Sequence, residues 1–162
     1  ALQVVIVALA CGVAYQYGPA FAAPPAGADI ATRLAFAVHW LIVPGLALLF
    51  GIALTANQRF FVAGAIDGTR APENRMLEIN LRYNQNTLEQ TALAAIAWTG
   101  LALALPADRL TLIPALAALF GVGRILFFAG YLIAPVGRAI GFGFSFYPTA
   151  VALIWLAWRA FQ

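Results

Sequence analysis

The chain has 162 residues, 64% of them hydrophobic and only 9% charged, against roughly 25% charged in a soluble domain. All nine basic residues are arginine, the net charge is +3, and there is one cysteine, Cys11, and one histidine, His39. A charge this small and this dispersed excludes a nucleic-acid surface, and the two counts of one exclude an internal disulfide, a Cys-rich metal site and paired-histidine ligation of haem or a di-metal centre within one chain. What remains is an integral membrane protein.

Residues 1 to 14 form an apolar run closed by Tyr15, Gln16, Tyr17, Gly18 and Pro19. That is short of the roughly 20 residues needed to cross a bilayer. It reads as the surviving end of an additional N-terminal membrane helix, with a signal-peptide h-region as the alternative, since Ala20-Phe21-Ala22-Ala23 loosely resembles a cleavage site. Residues 21 to 28 are a Pro/Gly/Ala linker. The chain therefore divides into an N-terminal segment and linker over 1–28 and a four-helix membrane domain over 29–162.

The first full span is predicted over Leu34–Ala56, entered through Asp29, Thr32 and Arg33, and kinked by Pro44. His39, inside it, is expected to be a hydrogen-bonded structural residue near the interface. Residues 57 to 80 read as an extramembrane loop carrying Arg59, Asp67, Arg70, Glu73 and Arg75. The second span starts near Glu73 to Glu78, where acids suit a helix N-terminus, and runs to Leu105. Its first half is polar. Pro106-Ala107-Asp108-Arg109 is a turn. The third span covers Leu110 to Ala134 with one internal charge, Arg124, and Pro135-Val136-Gly137-Arg138 breaks it. The fourth runs from Ala139 to Trp158 and closes on Trp155, Trp158 and Arg159, an interfacial anchor pattern. Arg59, Arg70, Arg75 and Arg138 against Arg33, Arg109 and Arg159 favour a cytoplasmic first loop.

One stretch organises the rest: Arg82 to Gln90 at the head of the second span. Glu78, Arg82, Asn86 and Glu89 share a helical stripe. The third span returns to the same side, so Arg124 and Tyr131 sit at similar depth, and Arg59 and Arg138 join from the loops. Arginines outnumber the two carboxylates there, which suits an anionic ligand. The alternative from spacing alone is that Arg82 and Arg124 merely pair with Glu89 and Glu78 between helices.

The pattern Glu78-x-x-x-Arg82-x-x-x-Asn86-x-x-Glu89 resembles the signature of the membrane-associated eicosanoid and glutathione metabolism superfamily, MAPEG. Gly123-Arg124-Ile125 with Gly130-Tyr131 is similar to that group's Ala-Arg-x-x-Tyr-x-x-Gly-Tyr segment. Pro135-Val136-Gly137-Arg138 before Gly141-Phe142 is similar to the third-to-fourth helix connection of the microsomal glutathione transferases. The resemblance covers about Leu34 to Arg159. It implies an all-α, four-helix membrane bundle assembled as a homotrimer, in a bacterial inner membrane, with no metal and with glutathione as co-substrate on the cytoplasmic side. Arg59, Arg82, Asn86, Glu89, Arg124 and Tyr131 would bind glutathione, and Arg138 would be the catalytic arginine that activates the thiol toward a hydrophobic electrophile or lipid hydroperoxide from the bilayer. Two features depart from the pattern: Phe127 stands where several members carry tyrosine, and residues 1 to 14 lie outside the four helices. Two other readings stay open, a non-catalytic lipid-binding or scaffold protein of the same fold, and a transporter or channel component. Against the latter, the polar cluster is not repeated and no pair of discontinuous helices is evident.

Overall fold

Pro44 shapes the entry into the bundle. It has no N–H for the Trp40 carbonyl, and its ring crowds that turn. The helix accordingly breaks at Leu41, whose N–H turns back to the carbonyls of Ala37 at 3.3 Å and Val38 at 3.1 Å. The expected kink is thus a break, three residues ahead of the proline, between α2 (Ile30–Trp40) and α3 (Ile42–Phe61). Asp29 starts α2, its carboxylate accepting from the Thr32 N–H at 3.0 Å and the Thr32 hydroxyl at 2.6 Å. His39 is exposed and meets the Trp40 ring edge-on, with centroids 5.7 Å apart.

These coordinates come from a computed structural model that describes residues 2–21, 23–25, 29–61 and 74–162. Asp67, Arg70 and Glu73 of the expected first loop, and residues 22 and 26–28 of the linker, lie outside the described residues. Before α2 comes α1 (Leu2–Phe21), and after α3 come α4 (Arg75–Ala104), a 3₁₀ turn (Ala107–Arg109), α5 (Leu112–Ile133) and α6 (Ala139–Ala160). The described residues are helical with no strand. Three stretches, Ile30–Phe61, Ala107–Ile133 and Ala139–Ala160, are long and apolar enough to cross a membrane. The chain is an all-α integral membrane bundle.

Helix α4 spans 30 residues, about 45 Å at 1.5 Å per residue, and has two faces. Asn74 caps it, its Oδ1 accepting from the N–H groups of Met76 at 2.9 Å and Leu77 at 3.1 Å. Leu77, Asn80, Tyr83, Thr87, Gln90, Ala94, Ala97, Trp98 and Leu101 face inward. Glu78, Arg82, Gln85, Glu89 and Ile96 face outward. Toward its C-terminus, alanines let the neighbours come close: Ala94, Ala97 and Ala102 pack with Trp98, Phe120, Ile113 and Ala37 in the larger core. A smaller core at the other end joins Ile79, Tyr83, Phe127 and Tyr131.

Arginines close the helix ends. Arg33 donates through Nε to the Ala102 carbonyl at 2.6 Å and through a terminal nitrogen to the Leu105 carbonyl, and Arg159 donates to the Ala104 carbonyl at 3.1 Å. Both satisfy carbonyls that a helix C-terminus leaves unpaired and face its negative dipole end. Arg75 does the same for α5 through the Leu132 carbonyl at 3.1 Å.

The apolar run that the sequence ends at Ala14 continues as α1 to Phe21. It packs on α5 and α6. Val7 is buried there, beside Gly143, while Val4, Val5, Leu9 and Val13 point outward.

Candidate functional site

The site is built by the α5–α6 hairpin. Ala134 is extended, with φ −155° and ψ 150°, as expected of a residue before proline, so α5 stops and Pro135 starts a tight reversal. Gly137 N–H bonds the Ala134 carbonyl at 2.9 Å and Ala139 N–H the Val136 carbonyl at 3.0 Å. The two helices then run back in backbone contact. A Cβ on Gly137 would meet the Gly130 carbonyl at 2.3 Å, and one on Gly141 would meet the Phe127 nitrogen at 2.1 Å. Only glycine fits these crossings. The closeness carries Arg138, the residue before α6, onto α5: its guanidinium carbon lies 4.7 Å from the Tyr131 ring centre and 6.0 Å from that of Phe127.

The same crossing brings α6 to Arg124. This side chain is 2% exposed, and every partner it has is neutral. One terminal nitrogen donates to Asn86 Oδ1 of α4 at 2.7 Å; the other donates to Ser145 Oγ of α6 at 2.6 Å, with the Gly141 carbonyl at a long 3.5 Å. Its Nε is buried without a partner. The faces of the guanidinium lie against Phe127 at 4.8 Å and Phe120 at 5.5 Å. No carboxylate among the described residues lies within ion-pair distance of Arg124 or Arg138. A buried charge without a counter-charge is costly unless something compensates it; Arg124 is such a charge, with the part-exposed Arg138 on the same side of the hairpin.

Between these groups is a cleft of about 560 Å³ lined by Asn86, Phe127, Pro135, Val136, Arg138, Ala139, Phe142 and Tyr147, within the usual range for small-molecule sites. Arg124 stands behind Asn86. An arginine has no acceptor, so it takes the Asn86 carbonyl oxygen. A second groove, about 440 Å³ and almost wholly apolar, lies between α3 and α5, lined by Val43, Leu46, Phe50, Phe128, Leu132 and others, with Tyr83 and Arg124 in its floor. Tyr83 is held there by its hydroxyl, which donates to the Ala47 carbonyl at 3.1 Å, and its ring meets Phe127 at 6.1 Å and Phe128 at 5.4 Å.

Of the residues singled out from sequence, Asn86, Arg124, Tyr131 and Arg138 come together. Arg82 and Glu89 do not join them within the chain. Arg82 pairs with Glu78 at 2.8 Å, and Glu89 accepts from Gln85 at 2.8 Å, all on the outward face of α4. Arg59 lies in the last turn of α3, partly exposed. The alternative pairing of Arg82 with Glu89 and Arg124 with Glu78 is therefore not what forms: Glu78 is one helical turn from Arg82 and exposed, out of reach of a buried Arg124. Ser145 and Tyr147 were missed by the sequence reading. The available signal was the cluster of hydroxyls, Ser145, Tyr147 and Thr149, that follows the Gly/Phe run of α6, since polar groups in a membrane helix mark contacts.

Two comparisons bear on this architecture. Over 81 residues the chain is 28% identical to Transmembrane protein 79 of Mus musculus, a match covering 50% of this chain and 21% of the mouse protein. No solved structure matches. The MAPEG family profile matches residues 37–158, from within α2 to within α6, taking in the Asn86, Arg124, Tyr131 and Arg138 cluster; this chain belongs to the MAPEG family.

Proposed function

We propose that the protein is a membrane-bound, glutathione-dependent transferase or peroxidase. The observation that carries this reading is the buried Arg124 with only neutral partners, set behind a cleft that also holds Arg138: two fixed cations without carboxylates favour a ligand that brings its own. Glutathione has two carboxylates and a thiol. Arg138 sits at the mouth of the α5–α6 hairpin, held by ring faces rather than by an anion, and so stays available as a donor. A free thiol with a pKa near 8.5 is mostly protonated at neutral pH, and an adjacent guanidinium favours the thiolate. The thiolate then attacks an electrophilic carbon to form a C–S bond as the leaving group departs with its electron pair, or as a conjugated π bond opens and takes up a proton. Alternatively it attacks the distal oxygen of a hydroperoxide, whose O–O bond breaks to give the sulfenic acid and an alkoxide that is protonated to the alcohol. In the second case another thiol resolves the sulfenic acid to a disulfide and water. The apolar groove beside the site suits a partner dissolved in the bilayer.

The outward stripe of α4 supports assembly. Glu78, Arg82, Gln85 and Glu89 are exposed along a bundle helix, and charge facing lipid costs several kcal/mol. A homotrimer that turns these stripes toward neighbouring copies removes that cost and brings Arg82, Glu89 and Arg59 toward a cleft of an adjoining chain. The reading extends to a bacterial inner membrane with the cleft on the cytoplasmic side, where the first loop carries the larger share of arginine. A second reading, a lipid-binding or scaffold protein without chemistry, is favoured by Phe127, which gives the cleft a ring where a tyrosine would give a hydroxyl.

The test is glutathione binding to detergent-solubilised protein, followed by ultraviolet absorbance of the thiolate, with Arg138→Ala alongside. Binding with a thiolate signal lost in the variant supports the transferase. Binding without thiolate supports the ligand-holding relative, and no binding at millimolar glutathione sinks the assignment.

A further inference from the structure

Three side chains from three helices form one line: the buried Ser145 of α6 and Arg124 of α5, and the part-buried Asn86 of α4. Each link has a fixed polarity. Ser145 Oγ donates to the Phe142 carbonyl at 3.2 Å, so its lone pairs are left for Arg124, which donates to it at 2.6 Å. Arg124 in turn donates to Asn86 Oδ1 at 2.7 Å. A guanidinium offers donors only, so the Asn86 carboxamide has one permitted orientation, with its oxygen inward and its NH₂ outward. Asn86 lines the cleft. The cleft is thereby offered two N–H donors and no amide carbonyl.

We infer that Ser145 is a positioning residue for anion recognition: through Arg124 it locks the Asn86 carboxamide so that its NH₂ donates into the cleft, toward a carboxylate or other acceptor of the ligand. The residue has no cleft contact of its own. It is 2% exposed, and the glycine crossings at Gly123 and Gly141 set its reach, since a Cβ on Gly123 would stand 3.4 Å from the Ser145 nitrogen. Without the hydroxyl, the second terminal nitrogen of Arg124 has only the Gly141 carbonyl at 3.5 Å, beyond a good hydrogen bond. The guanidinium is then free to turn between its two ring faces, and the Asn86 amide with it. Thr149 does not substitute, because its hydroxyl is committed to the Ser145 carbonyl at 2.8 Å.

In its ligand chemistry this rests on the glutathione reading above, and its test has one arm that does not. With arginine labelled by ¹⁵N in the full-length solubilised protein, a guanidinium clamped at both ends gives separate, slowly exchanging terminal N–H resonances for Arg124, identified by their loss in Arg124→Lys. Ser145→Ala is expected to merge them, and Ser145→Thr, which keeps the hydroxyl, to retain them. Unchanged Arg124 resonances in Ser145→Ala overturn the inference whether or not glutathione binds. The second arm is a cycle of Ser145→Ala and Asn86→Ala read by glutathione affinity. Ser145→Ala is expected to weaken binding about tenfold in the parent, the scale of one charge-assisted hydrogen bond, and to change it little once Asn86 is alanine. Equal losses in both backgrounds describe a general loosening of the helices and refute positioning through Asn86. Failure of the parent to bind glutathione removes the function proposed above and leaves the resonance arm to decide this one.

Discussion

Gly141→Ala is the sharpest probe of the hairpin that builds the site. The added Cβ would stand 2.1 Å from the Phe127 nitrogen, 2.5 Å from the Gly123 carbonyl oxygen and 2.6 Å from the Phe127 Cα. All three are backbone atoms of α5, so no rotamer change relieves the clash, and α6 must withdraw by about 1 Å or more to restore ordinary contact. Overpacking typically costs 1–3 kcal/mol, and the upper end applies where the obstacle is a helix backbone. About 3 kcal/mol corresponds to a melting temperature lower by roughly 6–12 °C for a chain of this size. Gly45→Ala is the control: it is also helical but has nothing within 4 Å of an added Cβ, so it should be neutral or gain roughly 0.5–1 kcal/mol from helix propensity. The assay is thermal unfolding of detergent-solubilised protein followed by circular dichroism. If Gly141→Ala melts within about 1 °C of the parent while Gly45→Ala behaves as stated, the backbone crossing does not hold α5 against α6, and the placement of Arg138 and Ser145 fails with it.

Arg33→Ala removes two donors from the C-terminal carbonyls of α4 and should cost about 1–2 kcal/mol, with faster hydrogen exchange at the end of α4; Arg33→Lys, lacking the fork, should recover only part of it. Asn86→Asp places a carboxylate on Arg124, so the melting temperature should hold or rise while glutathione affinity drops at least about tenfold; a drop in both would mean that Arg124 does not take Asn86 as an acceptor. Asp29 titrates below the usual carboxylate range because the Thr32 hydroxyl, and then the Thr32 N–H, bond its charged form. A lowered folded pKa contributes stability above the unfolded value, near 3.9, which is lost as pH falls through the folded value. Protection of the first-turn amides of α2, taken relative to their intrinsic exchange at each pH, should therefore fall on acidification below about pH 4, and Asp29→Asn should abolish that loss.

The fold was legible because membrane solvation leaves few options. With backbone polar groups needing partners inside the chain, apolar runs become helices, and the bounds expected for the second, third and fourth spans match α4, α5 and α6 to within a few residues; α4, whose first half is polar, is nevertheless not among the helices apolar enough to cross a membrane. Two local details refine the spans. The expected Pro44 kink is present, and it falls at Leu41 because the proline's clash is with the carbonyl four residues earlier. Residues 15 to 21 read as closing the apolar run, yet their backbone, Pro19 included, stays helical to Phe21.

The site was legible in part, and the division follows distance along the chain. Arg82, Asn86 and Glu89 announce a stripe because helical spacing alone relates them, but spacing cannot say which side of the stripe faces inward. That is decided by one offset: Asn86 turns toward α5 while Arg82 and Glu89 turn out. Arg124 announced itself as a charge in a membrane helix, and carboxylates were its obvious partners. The structure answers it instead with an amide, a hydroxyl and two ring faces, groups that composition does not distinguish from packing. Neutral partners orient a guanidinium without cancelling its charge. An ion pair with Glu78 would have made Arg124 a strut; held by Asn86 and Ser145, it has no counter-charge among the described residues, and that is the feature the proposed anionic ligand would answer.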